Sequence, residues 1–409
     1  MRQTNASWDA SYEIRALLLF TTGLGLVGLD RFILMPLLPV VAKDLGLNYQ
    51  DIGLISGILS LTWGISSIVS GGISDKRGRR FIIIPAVILF SALAGLTGLA
   101  VGFLSLMVIR ALMGLFEGAY LPASIAATTE ASNPSRLGRN IGIQQMAQPL
   151  CGLAIGPLLA TQLLNVLPSW RWIFLAVSIP GLILAWFMYR DLRDTNAGAT
   201  STHAELVGWS AAFRYKNVVL NILIMSCWLS CLVVIAAFLP NYLTDHFHFS
   251  LSEMGVVMSA SGLGSAIGMV LIPSLSDRLG RKPVLLFGVV VEIASLLIFV
   301  QTGPVVFELA GLIFVIAGIN AGLIVLTIGP MTTEAVPLEL TATAVGMVVG
   351  IGELVGGFGA PAIAGAIAQT FGITYILWIS TGAVIVGFCL ALFVNETNLI
   401  KKAATATAL

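Results

Sequence analysis

Four ionisable side chains interrupt two long apolar stretches of the sequence. Asp30 and Arg31 stand side by side in GLVGLDRFILMPLLP, residues 25–39, and Arg110 and Glu117 lie in a second stretch. Their spacing of seven residues places Arg110 and Glu117 on one face of a helix, about 10 Å apart along its axis. In a bilayer, four unpaired charges would cost on the order of 10 kcal/mol, so these side chains need partners or a watery cavity.

These charges predict a site that binds an anion together with a proton. Arg31 and Arg110 are the predicted anion ligands, because a guanidinium can hold a carboxylate through two parallel hydrogen bonds. Glu117 is the predicted proton carrier, and Asp30 and Glu353 are further coupling carboxylates. When ionised, the charges at 30, 31, 110 and 117 sum to zero. Protonating Glu117 leaves one positive charge, which a monoanion would neutralise.

Polar and aromatic side chains near these charges complete the predicted substrate site, because they can stack on an organic anion or hydrogen-bond to it. They are Tyr120, Gln145, Trp228 and Tyr242. Each of them could instead be a packing residue. Glu353 could equally be a hydrogen-bonded packing residue, and Glu292 is interpreted as part of the scaffold.

The composition indicates that these apolar stretches lie in a membrane. Hydrophobic residues make up 57% of the 409 residues and charged residues only 10%, against roughly 25% in soluble domains. With a mean hydropathy of +0.97, this is the composition of a polytopic membrane protein. No nucleotide, phosphate-loop or metal-ligand motif is evident, so we expect a non-enzyme without cofactor, metal or nucleic-acid partner.

Runs without charge locate the membrane spans, since a helix needs about 20 residues to cross. The run 354–395 is long enough for two helices, with a break predicted at Phe371-Gly372. Counting the runs with isolated charges as well, we expect twelve transmembrane helices in an all-α membrane protein. Lys and Arg concentrate in alternate loops, among them 75–80 and 277–282, so both termini are predicted to be cytoplasmic.

The sequence repeats itself at half its length. Residues 51–80 align without a gap to residues 253–282, a shift of 202 positions. Both segments open with the same predicted helix cap, Asn48 with Asp51 and Ser250 with Glu253. At the same shift, the four charges at 30, 31, 110 and 117 correspond to apolar residues. The fold is therefore built once without these charges, which argues against a purely structural role for them.

This repeat predicts two six-helix bundles around a central site. The predicted divisions are a cytoplasmic segment 1–14, a bundle 15–189, a cytoplasmic linker 190–216, a second bundle 217–396 and a cytoplasmic tail 397–409.

The repeated loops GGISDKRGRR, residues 71–80, and PSLSDRLGRK, residues 273–282, resemble the signature of the major facilitator superfamily. The resemblance covers the whole chain and implies two pseudo-symmetric bundles that expose a central cavity to each side of the membrane in turn. It implies a multi-pass transporter of the inner (plasma) membrane that functions as a monomer. The resemblance also implies a conformational latch in these loops, formed by Asp75, Arg79, Asp277 and Arg281.

Within that superfamily, the Asp30-Arg31 pair and RALMGLFEGAYLP, residues 110–122, resemble the anion:cation symporter branch. This resemblance implies proton-coupled symport of a small organic anion such as a carboxylate. Two alternatives stay open. The spinster branch, which carries lysolipids, has a similar Asp-Arg pair, and Gly152-x-x-x-Gly156-Pro157 is part of a motif of drug:proton antiporters.

Overall fold

The computed structural model describes residues 9–133, 136–193, 212–337 and 340–397, without the side chains at 71, 72, 75, 76, 138 and 342. The described residues are helical almost throughout, which agrees with the all-α prediction. In chain order the helices are α1 Ala10–Phe32, α2 Leu34–Leu45, α3 Tyr49–Arg77, α4 Arg79–Thr97, α5 Phe103–Ala131, α6 Leu137–Pro149, α7 Gly156–Val166, α8 Trp170–Asp191, α9 Lys216–Asn241, α10 Leu251–Leu279, α11 Arg281–Gln301, α12 Val306–Leu326, α13 Thr341–Gly352, α14 Ala360–Phe371 and α15 Tyr375–Ala391.

Eleven helical stretches of the described chain are long and apolar enough to cross a membrane. The last helix, Tyr375–Ala391, is apolar but shorter, at 17 residues. The break predicted at Phe371-Gly372 is confirmed, since α14 ends at Phe371 and Gly372 has φ 108°. Most of the predicted linker 190–216 and of the two terminal segments lies outside the described residues.

The sequence repeat is visible in the local geometry. Both predicted capping boxes form, at the start of α3 and at the start of α10. Gly78 and Gly280, which separate α3 from α4 and α10 from α11, have φ values of 94° and 102°. Such backbone angles are strained for any residue with a Cβ atom, so glycine is required at both turns. We call α1–α8 the first repeat and α9–α15 the second.

The two predicted latch arginines stabilise these turns through contacts with residues of their own repeats. The Arg79 Nε donates to Glu130 at 2.9 Å, and the Arg281 Nη2 donates to Glu334 at 2.7 Å. Arg281 also contacts Asp277 at 2.5 Å. The side chain of Asp75 lies outside what the structure describes, so the latch between the repeats stays a prediction.

The fifth and eleventh predicted spans each contain a wide helical turn before a proline. Leu150–Ile155 has i→i+5 hydrogen bonding and precedes Gly156-Pro157, and Glu353–Gly359 does the same before Ala360-Pro361. A proline lacks the N–H that would continue the regular ladder, which favours such a local rearrangement. The regular α-helix resumes after these turns, at Gly156 and at Ala360.

The buried apolar side chains of the described residues form two cores, of which the larger runs through the second repeat at all depths. One core contains only residues of the first repeat, between Ala16 and Leu192, and lies toward the basic loops. The other joins both repeats and includes Ile33, Leu153, Trp228 and Phe238. We call the end of the molecule with the basic loops the basic side, and the other end the opposite side. The two repeats therefore share an apolar core toward the opposite side.

Close backbone contact and hydrogen bonds reinforce this shared core. A Cβ atom added to Gly262 on α10 would lie 2.0 Å from backbone atoms of Leu153 and Ala154 in the first repeat. At the outer edge of the opposite side, the Tyr49 hydroxyl donates to Asp245 at 3.0 Å, and the Tyr49 N–H donates to Gln369 at 3.1 Å. These contacts hold the repeats together on the opposite side.

We expect Gly262→Ala to separate the repeats on the opposite side, because the added methyl group has no room between the two backbones. The distance between spin labels at Lys43 and His248, measured in a background without the native cysteines, should increase. Gly311→Ala is the matched control, since a Cβ atom there meets nothing within 4 Å. An unchanged distance in Gly262→Ala would show that this contact does not hold the repeats together.

Candidate functional site

An ion pair between the two repeats lies at the centre of the candidate site. The Arg31 Nη2 is 3.3 Å from the Glu353 Oε2 and also donates to the Ser60 hydroxyl at 3.0 Å. The Arg31 guanidinium stacks over the Trp63 ring, with 4.5 Å to its centroid. Arg31 is only 8% exposed and Glu353 only 7%. Two residues predicted for different roles, anion binding and coupling, are therefore partners in this structure.

Small residues make room for the Glu353 side chain. A Cβ atom at Gly357 would lie 2.5 Å from the Glu353 Oε2, and one at Gly64 would lie 3.5 Å from the Glu353 Cβ. The wide turn that begins at Glu353 brings Gly357 beside the carboxylate. The sequence prediction missed Ser60 as a partner of Arg31. The recurrence of Gly57, Ser60 and Gly64 on one face of α3 is the signal that could have indicated it.

Arg110 is bound to the backbone of the first span. Its Nη1 donates to the carbonyl of Asp30 at 3.0 Å, and its Nη2 donates to the carbonyl of Arg31 at 2.6 Å. The helix is interrupted at Ile33, between α1 and α2, and the last carbonyls of a helix need partners from elsewhere. A cation at this end is also favoured by the helix dipole. Arg110 thus fixes the position of Arg31, and its two Nη atoms have partners without an anion.

Glu117 and Asp30 are buried carboxylates with unsatisfied oxygen atoms. Glu117 is fully buried, and neither of its carboxylate oxygens has a hydrogen-bond partner. Asp30 is 3% exposed, and its Oδ1 has no partner either. Both carboxylates interact electrostatically with the Arg110 guanidinium. An ionised carboxylate without hydrogen bonds is costly to bury, so a proton would stabilise Glu117 strongly.

Three of the residues predicted to contact the substrate are packed inside the repeats. The Tyr120 hydroxyl donates to the carbonyl of Phe20, and the Trp228 Nε1 donates to the Thr327 hydroxyl. Both side chains are fully buried, and Tyr242 is 3% exposed among aromatic rings at the end of α9. Gln145 is exposed on α6. Of these four residues, only Gln145 is therefore exposed.

The chain matches a known family along nearly its whole length. The sequence profile described as Major Facilitator Superfamily matches residues 20–242 and again residues 230–408. The chain belongs to the Major Facilitator Superfamily. This superfamily member is 28% identical to a "Putative metabolite transport protein" of Haemophilus influenzae, over 88% of this chain and 90% of the relative. It is also 28% identical to a "3-(3-hydroxy-phenyl)propionate transporter" of Escherichia coli, over 90% of each chain.

The fold of this superfamily member also has solved counterparts. A bacterial homologue of the human lysosomal transporter Spinster, solved in an inward-facing and occupied conformation, superposes with a TM-score of 0.80. The alignment covers 94% of this chain and 97% of the other at 17% identity, so the likeness concerns the fold alone. The family match and the curated relatives identify the protein as a multi-span membrane transporter and not an enzyme.

We expect Arg31→Gln and Glu353→Gln each to lower the free energy of unfolding by about 3–5 kcal/mol, because either change leaves a buried charge without its partner. The double variant should recover most of this loss. Thermal unfolding of the four proteins in the same detergent tests the coupling as a double-mutant cycle. Losses that simply add would show that the two side chains do not stabilise each other.

Proposed function

We propose that the protein is a proton-coupled symporter of a small organic monoanion, namely a carboxylate. The observation that carries the proposal is the Arg31–Glu353 ion pair, in which a carboxylate of the protein occupies the guanidinium. A substrate carboxylate would replace Glu353 at Arg31 and gain the same charge-assisted hydrogen bonds. That a relative 28% identical over 90% of the chain bears the name of an aromatic carboxylate transporter supports this substrate class.

A charge balance over the buried groups supports coupling to a proton. Asp30, Glu117 and Glu353 contribute three negative charges against two positive charges on Arg31 and Arg110. One proton therefore makes the empty site neutral, and we assign it to Glu117, which has no hydrogen-bond partner. When a monoanion takes over Arg31, the displaced Glu353 requires a second proton. Each monoanion then crosses with one additional proton.

We propose that the transport path reaches this site from the basic side, which faces the cytoplasm in this state. The repeats share an apolar core and direct hydrogen bonds toward the opposite side, while the core nearer the basic side belongs to the first repeat alone. Transport by twelve spanning helices would alternate this arrangement with one open to the other side. The breaks around Leu150–Ile155 and Glu353–Gly359 are the proposed bending points.

Proton uptake by proteoliposomes with a trapped pH dye tests the coupling. Adding a sugar-acid or aromatic monocarboxylate outside should acidify the lumen by about one proton per anion. By the charge balance, Glu117→Gln and Glu353→Gln should each retain coupling through the remaining carboxylate. The double variant should transport the anion without taking up a proton.

Glu308→Gln is the control for these variants, since Glu308 lies at the start of α12, in its first turn. If Glu117→Gln alone abolished proton uptake while anion exchange continued, the hypothesis that either Glu117 or Glu353 can carry the coupled proton would be wrong. Alkalinisation by a cationic drug and no response to any anion would instead indicate a drug:proton antiporter.

Anion binding should depend on Arg31 in the purified protein. A monocarboxylate at 100 times its Kd should stabilise the wild type by about 2.7 kcal/mol, seen as a higher Tm. The shift should disappear in Arg31→Gln and be smaller in Arg31→Lys, because an ammonium cannot form the two parallel hydrogen bonds. Arg190→Gln is the control, as Arg190 is exposed and paired with Asp191. A full shift in Arg31→Gln would exclude Arg31 as the anion ligand.

A further inference from the structure

A second buried carboxylate lies in the second repeat, on helices that do not carry the Arg31 site. Glu292 on α11 is fully buried. Its Oε1 accepts a hydrogen bond from the Asn320 Nδ2 at 2.8 Å and one from the Cys231 thiol at 3.6 Å. Its Oε2 has no partner, and neither does the Asn320 Oδ1. Both unpartnered atoms are acceptors, so what they lack is a hydrogen-bond donor or a cation.

No basic side chain among the described residues of the neighbouring helices reaches Glu292. The helices packed on α11 are α10, α12 and α15, and Cys231 comes from α9. Apart from Cys227 and Cys231 in the middle of α9, their described titratable groups lie at or near the helix ends: Lys216 on α9, Glu253, Asp277 and Arg278 on α10, Glu308 on α12, and Tyr375 and Cys389 on α15. The charge of an ionised Glu292 would therefore have to be balanced by something other than the described side chains.

A small cavity lies beside Asn320 and Cys231, the two hydrogen-bond donors to Glu292, while Glu292 itself does not line it. It has a volume of about 20 Å³, and its polar lining comes from Cys231, Ser261, Ser265 and Asn320. The Ser261 and Ser265 hydroxyls donate to backbone carbonyls, at 2.6 and 2.8 Å, so their oxygen lone pairs remain available. A cavity of this size has room for one particle about as large as a water molecule.

The first repeat has neither a carboxylate nor an amide at the corresponding positions. At the shift of 202 residues, Glu292 corresponds to Phe90 and Asn320 to Gly118. Phe90 packs edge-on against Tyr120, with 6.1 Å between the ring centroids. Because the first repeat is packed at this position by an aromatic pair, the carboxylate and amide of the second repeat are not a requirement of the fold.

We propose that Glu292 and Asn320 form a binding site for one small monovalent cation, a proton or Na⁺. Oxygen ligands such as a carboxylate, an amide carbonyl and serine hydroxyls suit a hard cation. A proton would instead reside on the Glu292 Oε2, which has no hydrogen-bond partner. Leu153 of the first repeat also lines this cavity, so the site is closed by the contact between the repeats.

Thermal unfolding of the purified full-length protein distinguishes the two cations. For Na⁺, the Tm should rise to a plateau with NaCl but not with KCl or choline chloride at equal ionic strength. The rise should be lost in Glu292→Gln and reduced in Asn320→Ala. Glu308→Gln should behave as the wild type. If Glu292→Gln fails to fold, Asn320→Ala and Cys231→Ser still test the site through the salt dependence of Tm.

For a proton, Na⁺ should have no specific effect on the Tm. Infrared difference spectra between acid and alkaline pH should then show the carbonyl stretch of a protonated buried carboxyl. This band should be absent in Glu292→Gln and shifted in Asn320→Ala, while Glu117→Gln should retain it. A Tm indifferent to Na⁺, together with no pH-dependent band assigned to Glu292, would overturn the proposal. Neither readout requires transport, so the result is independent of whether the protein carries a carboxylate.

Discussion

The candidate site depends on the two hydrogen bonds from Arg110 to the carbonyls of Asp30 and Arg31. The first span is broken at Ile33, and the carbonyls before the break need partners in an interior that offers no water. Arg110 supplies them from α5 and places a positive charge at the end of α1. The Arg31 side chain is thereby directed toward Ser60, Trp63 and Glu353. A buried arginine with a structural task thus determines where the second arginine can bind.

The first and second repeats have specialised in different ways on one scaffold. At corresponding positions they share helix caps, a glycine with positive φ, and an arginine that donates to a glutamate of its own repeat. They differ in the buried polar groups, with four charges in the first repeat where the second has apolar residues. The second repeat has Glu292 and Asn320 where the first has Phe90 and Gly118. Such differences are costly in a membrane interior, which makes them good indicators of binding sites.

Much of the fold could be predicted from the sequence because its signals are local or periodic. Runs without charge predicted where the helices lie and, by the length of the run 354–395, the break at Phe371-Gly372, and the repeat predicted the two capping boxes. The site was less predictable. Arg31, Glu353 and Glu117 could be chosen as buried ionisable residues, but the pairing of Arg31 with Glu353 joins residues 322 positions apart. The chemistry of Tyr120 and Trp228 predicts contacts with a substrate, and only the packing shows that their polar atoms already have partners.

The separation of the apolar side chains into two cores also bears on how the chain is assembled during synthesis. The core nearer the basic side draws only on residues between Ala16 and Leu192, so every side chain it needs has been synthesised before α9 emerges. The shared core includes residues as late as Val394 and cannot be complete until α15 has been made. Domains generally fold in order as they leave the ribosome. The first repeat can therefore form a partly folded intermediate in the bilayer before the second repeat has been synthesised. Its surface toward the opposite side would remain uncovered until the second repeat arrives.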